Sequence, residues 1–220
     1  MNLSRLRKTL LFAACALPLG WLLASALGAT GPGLGANPID ALQDELGQWA
    51  LRILLATLCI TPLAVELRKP WLLGLRRMLG LWAFAYAVLH FANWIALDLG
   101  FDVRAILADV AKRPYVTVGF AAFALLVPLA ATSTDRALRR LGRRWHLLHG
   151  LIYPAAALAC LHYWWLVKAD WREPLLYALV LAALLGWRLR RRLRRARAAS
   201  SACAPAPSPR SPPPRDRTTV

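Results

Sequence analysis

Acidic residues are scarce in this chain of 220 residues, and their scarcity sets its charge. The sequence has 11 aspartates and glutamates against 28 lysines and arginines, a formal net charge of +17. A nucleic-acid-binding module would carry such charge as a basic face on a soluble domain. The basic residues fall instead in short clusters between apolar runs. No nucleic-acid partner is therefore expected.

Cysteine is also rare, and its placement excludes several redox chemistries. The four cysteines form no CxxC pair, and three of them (Cys15, Cys59 and Cys160) lie within apolar runs. Isolated cysteines in such surroundings are typical of small apolar packing residues. The chain also lacks a glycine-rich phosphate-binding loop, a convincing internal repeat and any segment long enough for a catalytic domain outside a membrane.

Apolar residues, by contrast, are abundant: they make up 58% of the chain, and the mean hydropathy is +0.43. Six apolar segments each approach the roughly 20 residues that a membrane crossing needs. They cover residues 10–27, 47–65, 79–97, 115–131, 147–166 and 174–189. This pattern predicts an all-α integral membrane protein with a six-helix bundle over residues 10–189. Residues 1–9 form its N-terminus, and residues 190–220 form a basic, proline-rich tail that is expected to be disordered.

The first apolar segment has two interpretations. Its basic start and its small-residue end, Ala24-Ser25-Ala26, also resemble a cleavable signal peptide. The apolar run is long for that role, which favours a retained membrane span.

The distribution of basic residues predicts the orientation. The N-terminus, loops 66–78 and 132–146, and the tail from residue 188 together hold 22 of the 28 lysines and arginines but only three acids. The positive-inside rule therefore places both termini in the cytoplasm, as expected for a bacterial inner-membrane protein. The arginine run 188–197 would lie against anionic membrane lipid.

Three histidines lie inside the predicted spans. An ionisable side chain at that depth is costly and usually functional, and imidazole is a common axial ligand of haem iron. At 1.5 Å per helical residue, His90 lies about 12 Å and His162 about 9 Å inside the same membrane face. Their matched depth on different spans predicts that they bind one haem iron together.

His149 lies thirteen residues before His162, about 20 Å away along a helix. This separation suits a second haem, but a single haem with a structural His149, or a propionate or quinone contact, also fits. A partner histidine on the third span would fall near positions 76–77, where Arg76 and Arg77 stand. The sequence therefore leaves one or two haems open.

Arg52 lies near the start of the second span, on the side of His90 and His162. Its planar guanidinium could pair with a haem propionate, because it binds a carboxylate through two hydrogen bonds. The alternative is an arginine that extends outwards to the membrane interface.

Several motifs resemble one known family, the MsrQ (YedZ) proteins. The stretches 76–81 and 83–90, the latter ending at His90, resemble that family's third span. Further motifs follow in the family's order: Trp145-His-Leu-Leu-His149-Gly-Leu-Ile-Tyr153, Leu161-His162-Tyr-Trp and Glu173-Pro-Leu-Leu-Tyr177. Gly47-Gln-Trp-Ala-Leu-Arg52, with Thr61-Pro62-Leu63 after it, resembles the second span. The resemblance covers roughly residues 5–190.

The resemblance implies a fold and a function. The family belongs to the ferric-reductase-like transmembrane superfamily. The resemblance implies that this chain, like the MsrQ proteins, is a six-helix subunit that binds haem b and FMN. Such a subunit passes electrons from the quinone pool or a cytosolic flavin reductase to MsrP, a periplasmic molybdopterin enzyme that repairs methionine sulfoxide in oxidised proteins. The chain would then be the electron-transfer subunit rather than the catalytic one.

The resemblance also assigns residues. His90, His149 and His162 match the family's haem histidines, and His146 falls where no ligand is expected. Arg76 and Arg77 could hold an FMN phosphate or a propionate, although charges that merely set the topology would look the same.

Three other functions compete with this interpretation. A ferric or other metal reductase of the same fold would pass electrons directly to a metal. A histidine-relay transporter would need no haem, but paired acids at mid-membrane would be expected. A membrane assembly factor would use the histidines only structurally.

Overall fold

The computed structural model describes residues 3–29, 34–167 and 170–202, and this part of the chain is helical with no β-strand. Nine α-helices follow one another in these described residues: α1 (Leu3–Ala26), α2 (Pro38–Glu66), α3 (Arg76–Asn93), α4 (Val103–Lys112), α5 (Pro114–Ala131), α6 (Asp135–Leu141), α7 (Arg143–His149), α8 (Ile152–Leu166) and α9 (Arg172–Ala202). A 3₁₀ helix, Pro70–Leu75, leads into α3, and a π-helical turn, Trp94–Asp98, follows it.

By length and composition, four helical stretches in the described residues could cross a membrane. They are Leu3–Ala26, Pro38–Glu66, Pro70–Asp98 and Pro114–Ala131. The last three of these stretches contain the second, third and fourth predicted spans, and the first covers all but the final residue of the predicted span 10–27. The predicted all-α membrane class is therefore confirmed at this level.

The core of the bundle consists of two helix pairs. α2 packs along α3, α5 packs along α8, and α9 lies against α2 and α8. α2 is the central helix, since 44% of its most apolar stretch is buried, against 17% for α1. Its leucines Leu51, Leu54 and Leu58 belong to one continuous apolar cluster.

The first helix is anchored to the bundle at a buried point. The hydroxyl of Tyr86, on α3, is fully buried and donates a hydrogen bond of 2.8 Å to the carbonyl of Cys15 on α1. Leu22, two turns further along the same face of α1, is also fully buried. α1 thus packs on the outside of α2 and α3 through a narrow stripe, and the rest of its surface is exposed.

The predicted fifth span, residues 147–166, is not a single helix. α7 ends at His149 and α8 begins at Ile152, so the helix is interrupted at Gly150 and Leu151. Pro154 has no N–H to donate to the Gly150 carbonyl, which accepts from the N–H of Tyr153 instead, so the regular helical hydrogen bonding is interrupted here.

The last helix runs further than the predicted span 174–189. α9 continues to Ala202, so residues 190–202, expected to be disordered, are helical in the structure. Arginine, leucine and alanine dominate this stretch and all favour helix. The proline-rich remainder of the predicted tail, residues 203–220, lies outside the described residues.

Candidate functional site

The structure brings His90 and His162 together. His90 lies in the last turn of α3, and His162 lies near the end of α8. Their ring centroids are 6.2 Å apart and the ring planes are nearly perpendicular, at 79°. Two imidazoles on opposite sides of one metal, each bonded at about 2 Å, have ring centres about 6 Å apart. The pair is therefore spaced for a shared metal ion.

Each imidazole is oriented by a backbone carbonyl of a neighbouring helix. Nδ1 of His90 lies 2.9 Å from the carbonyl oxygen of Gln43 on α2, and Nδ1 of His162 lies 2.7 Å from that of Tyr115 on α5. A carbonyl only accepts, so each Nδ1 carries the proton and donates. Nε2 of each ring is then the nitrogen with the lone pair, which is the arrangement that metal-binding histidines require.

The two rings lie directly against helix backbone. A Cβ built on Gly47 of α2 would be 2.8 Å from Cε1 of His90, and one on Gly119 of α5 would be 2.7 Å from Nδ1 of His162. Both distances are shorter than van der Waals contact, so only glycine leaves room for an imidazole at these positions.

The site has an internal repeat that the sequence analysis missed. Gln43, Gly47 and His90 in one helix pair correspond to Tyr115, Gly119 and His162 in the other, each 72 positions later. Identical residues related by the same interval line the cavity: Gly47 and Gly119, Ala50 and Ala122, Leu54 and Leu126, Ala87 and Ala159, and His90 and His162. Between these positions the two halves differ, which hides the repeat. The signal that would have found it is a glycine 43 positions before each histidine.

The histidine pair opens onto a cavity of about 440 Å³. Apolar side chains form most of its wall, while Asp40, Asp44, Asp98 and Arg113 line it from the helix ends nearest the histidines. Mostly apolar cavities with a few convergent polar groups are typical of cofactor sites. No cluster of three or more histidine, cysteine or acidic side chains suited to a metal ion occurs in residues 3–29, 34–167 and 170–202. Two imidazoles without further protein ligands fit a haem iron, whose other four ligands come from the porphyrin.

A second cavity, of about 500 Å³, lies further along the bundle. Leu54 and Leu126 line both cavities and so form the layer between them. His149 lines the second one: its ring stacks on Trp145 at 3.7 Å, and its Nδ1 lies 3.2 Å from the Trp145 carbonyl. Its Nε2 is buried and has no hydrogen-bond partner among the described residues. An unpaired buried nitrogen facing a cavity is expected where a ligand binds.

Several arginines line the second cavity. Arg76 is half-buried there, while the more exposed Arg77 forms an ion pair of 2.7 Å with Asp135. Arg77 stands 72 positions before His149, so the repeat pairs one histidine with one arginine at this level. Arg188 of α9, not expected from the sequence, also lines the cavity, where its guanidinium lies over the Tyr153 ring.

Arg52 and His146 lie apart from the histidine pair. Arg52 donates to the hydroxyl of Tyr177 on α9 at 2.9 Å and lines neither cavity. Arg113, at the rim of the first cavity, is the arginine that the sequence analysis overlooked there. His146 is exposed and makes an edge-on contact with Trp145.

These features define a class of protein: helical bundles that hold a cofactor between facing helices. A family model described as "Ferric reductase like transmembrane component" matches residues 46–160. A Xanthomonas axonopodis pv. citri protein is 50% identical over 189 residues, which cover 84% of this chain and 87% of the relative. A Bordetella parapertussis protein is 51% identical over 185 residues, covering 83% and 88%. Both relatives are named protein-methionine-sulfoxide reductase heme-binding subunit MsrQ.

The chain therefore belongs to the ferric-reductase-like transmembrane family and, within it, to the MsrQ proteins. The family resemblance seen in the sequence is confirmed. No solved structure matches the chain.

Proposed function

We propose that this chain is a membrane subunit that binds haem b and passes electrons to a periplasmic methionine sulfoxide reductase of the MsrP type. The observation that carries the proposal is the His90–His162 pair, whose spacing and Nδ1 hydrogen bonds suit two axial ligands of one iron. Relatives that are half identical are named as haem-binding subunits of such a reductase system. The chain acts as the electron-transfer subunit, and its partner carries the catalytic centre.

The membrane arrangement in this proposal has six spans and cytoplasmic termini, in the bacterial inner membrane. α7 with α8 forms the fifth span, and the apolar part of α9 forms the sixth. The packing of α1 against Tyr86 supports a retained first span. The basic loops 66–78 and 132–146 face the cytoplasm, so the histidine pair lies near the periplasmic side.

The chain's own residues would position the haem. Bound between His90 and His162, haem supplies one-electron redox chemistry. The carbonyls of Gln43 and Tyr115 keep Nε2 of each imidazole available for the iron and make it a stronger ligand. The apolar wall excludes water, which lowers the local dielectric and tunes the reduction potential.

The second cavity is the proposed entry point for electrons. His149 contributes its unpaired Nε2 to a second haem or to a quinone. The half-buried Arg76, together with Arg188, suits an anionic group such as a propionate or the phosphate of FMN. Arg77 contributes to the same positive field while it is paired with Asp135. Quinol or a cytosolic flavin reductase would reach this side of the membrane.

The test is haem content in the purified protein and its variants. Wild-type protein in detergent should show reduced-minus-oxidised bands of a low-spin haem b, and a pyridine haemochrome assay gives the number of haems. His90→Ala and His162→Ala should each remove the haem of the first cavity. His149→Ala should reduce the haem count only if a second haem is bound.

His146→Ala is the control for the first cavity, because this exposed histidine lines only the second one. It should keep the haem that His90 and His162 hold. Unchanged haem in both His90→Ala and His162→Ala would contradict the ligand assignment, and a wild-type protein that stays colourless after reconstitution would contradict the proposed function.

A further inference from the structure

Two glycines of the bundle, Gly47 and Gly119, each lie directly against a histidine ring. At Gly47 and Gly119 the three atoms nearest to an added Cβ all belong to one imidazole, that of His90 and of His162 respectively. Other helical glycines differ: Gly80 would meet only the Thr57 methyl at 3.7 Å, and Gly186 would meet nothing within 4 Å. Among these four helical glycines, only Gly47 and Gly119 have an imidazole ring where a side chain would otherwise lie.

The same local geometry occurs at both places. The carbonyl that accepts from Nδ1 lies one helical turn before each glycine, at Gln43 and at Tyr115. A carbonyl has two lone pairs, so it can accept from the helix and from an imidazole together. Each ring thus lies against one turn of helix, with its Nδ1 and Cε1 atoms next to the glycine and the carbonyl at its Nδ1.

Close helix packing is the alternative explanation for these glycines. Small residues in membrane bundles let two backbones approach each other. That explanation predicts contact with backbone or with aliphatic side chains of the facing helix. The atoms that an added Cβ would meet at Gly47 and Gly119 are imidazole atoms instead.

We infer that Gly47 and Gly119 are positioning residues, each of which holds an axial imidazole against a helix so that Nδ1 stays on its carbonyl and Nε2 faces the shared iron. The inference rests on the proposed haem function and deepens it. A methyl group at either glycine would push the ring away from the helix, lengthen the Nδ1 hydrogen bond and tilt Nε2.

The first measurement is haem affinity, by titrating the haem-free protein with haemin. Gly47→Ala and Gly119→Ala should each weaken binding about tenfold, the lower end of what loss of a metal ligand's supporting hydrogen bond costs. Their spectra should shift from low-spin towards high-spin as one imidazole leaves the iron. Gly186→Ala is the matched control at a helical glycine that lines neither cavity, and it should keep both affinity and spectrum.

The second measurement needs no haem and separates positioning from packing. The thermal unfolding midpoint of the haem-free protein is compared for Gly47→Ala alone and in a His90→Ala background, and likewise for Gly119→Ala with His162→Ala. The clash should lower the midpoint by several °C when the histidine is present and leave it unchanged when the ring is gone. A glycine needed for helix packing would lower it equally in both backgrounds.

The outcomes distinguish the two claims. Wild-type protein that binds no haem would refute the proposed function, while the unfolding comparison would still test the steric coupling. Haem-binding protein whose Gly47→Ala and Gly119→Ala variants keep wild-type affinity and a low-spin spectrum would overturn the positioning role. Equal destabilisation with and without the histidine would overturn it as well.

Discussion

At the scale of single residues, the surroundings of His90 are built from polar groups that hold one another. The amide nitrogen of Gln43 lies 3.4 Å from Nε2 of His90, and its amide oxygen accepts a 2.8 Å hydrogen bond from Nδ2 of Asn93. Asn93 is only 5% exposed and also donates to the carbonyl of Ile39. Gln43 contacts His90 through both its backbone carbonyl and its side chain. Asn93 holds the Gln43 side chain by a hydrogen bond and so supports the histidine indirectly.

Replacing Asn93 by alanine should therefore destabilise the protein. The change leaves the Gln43 amide oxygen and the Ile39 carbonyl without this donor in a buried position, which costs about 1–3 kcal/mol of unfolding free energy. Thermal unfolding of the haem-free protein in detergent measures the loss. Leu89→Ala, at an exposed position of the same helix, serves as the control and should change stability by no more than about 0.5 kcal/mol. Equal stability of the two variants would show that the hydrogen bonds of Asn93 do not stabilise the protein.

At the scale of elements, α1 is the long helix that contacts the rest of the bundle least. It contacts the bundle through a narrow stripe, and the buried hydrogen bond from Tyr86 to Cys15 is its polar anchor. An element with few buried contacts opens locally at low free energy. Access to the buried thiol of Cys15 reports directly on this opening.

Tyr86→Phe should accelerate labelling of Cys15 by a maleimide. One hydrogen bond contributes about 0.5–1.5 kcal/mol, which corresponds to labelling about two- to tenfold faster when the opened form is the one that reacts. The measurement uses protein whose other cysteines are replaced by serine. Tyr153→Phe, on α8 and bonded to Arg188, should leave the rate unchanged. A rate that Tyr86→Phe does not alter would mean that apolar packing alone holds α1.

At the scale of the whole molecule, the two helix pairs form one site from two halves. α2 with α3 and α5 with α8 each contribute one histidine, one glycine and one carbonyl, so neither pair holds the site alone. The second cavity departs from this repeat, because Arg77 stands where the repeat would place a partner of His149. The two ends of the bundle are therefore chemically different.

The proposed orientation can be measured with alkaline phosphatase fusions, which are active only outside the cytoplasm. Fusions that end after Gly100 should be active, and fusions that end after Arg68, Gly142 or Ala202 should be inactive. The reason is the excess of lysine and arginine on the cytoplasmic side. An active fusion at Ala202 would imply an odd number of spans and contradict the six-span arrangement.

The sequence by itself determined the class of the protein and the proximity of His90 to His162. A long apolar run forms a helix in a membrane, because a helix hydrogen-bonds every backbone N–H and C=O group within the segment. Matched depth followed from counting residues, since helical rise is constant. The juxtaposition of His90 and His162 was predictable for that reason.

Only the tertiary structure decided how the histidines are held and what surrounds them. The carbonyls of Gln43 and Tyr115 belong to the backbone, so the residue type at these positions does not reveal their role. Gly47 and Gly119 leave room for an imidazole that reaches them only when two helices pack together. The position of Arg52 on Tyr177 depends on how α9 packs against α2. Contacts between helices distant in the chain arise from packing of many weak apolar surfaces, and no local pattern of residues encodes them.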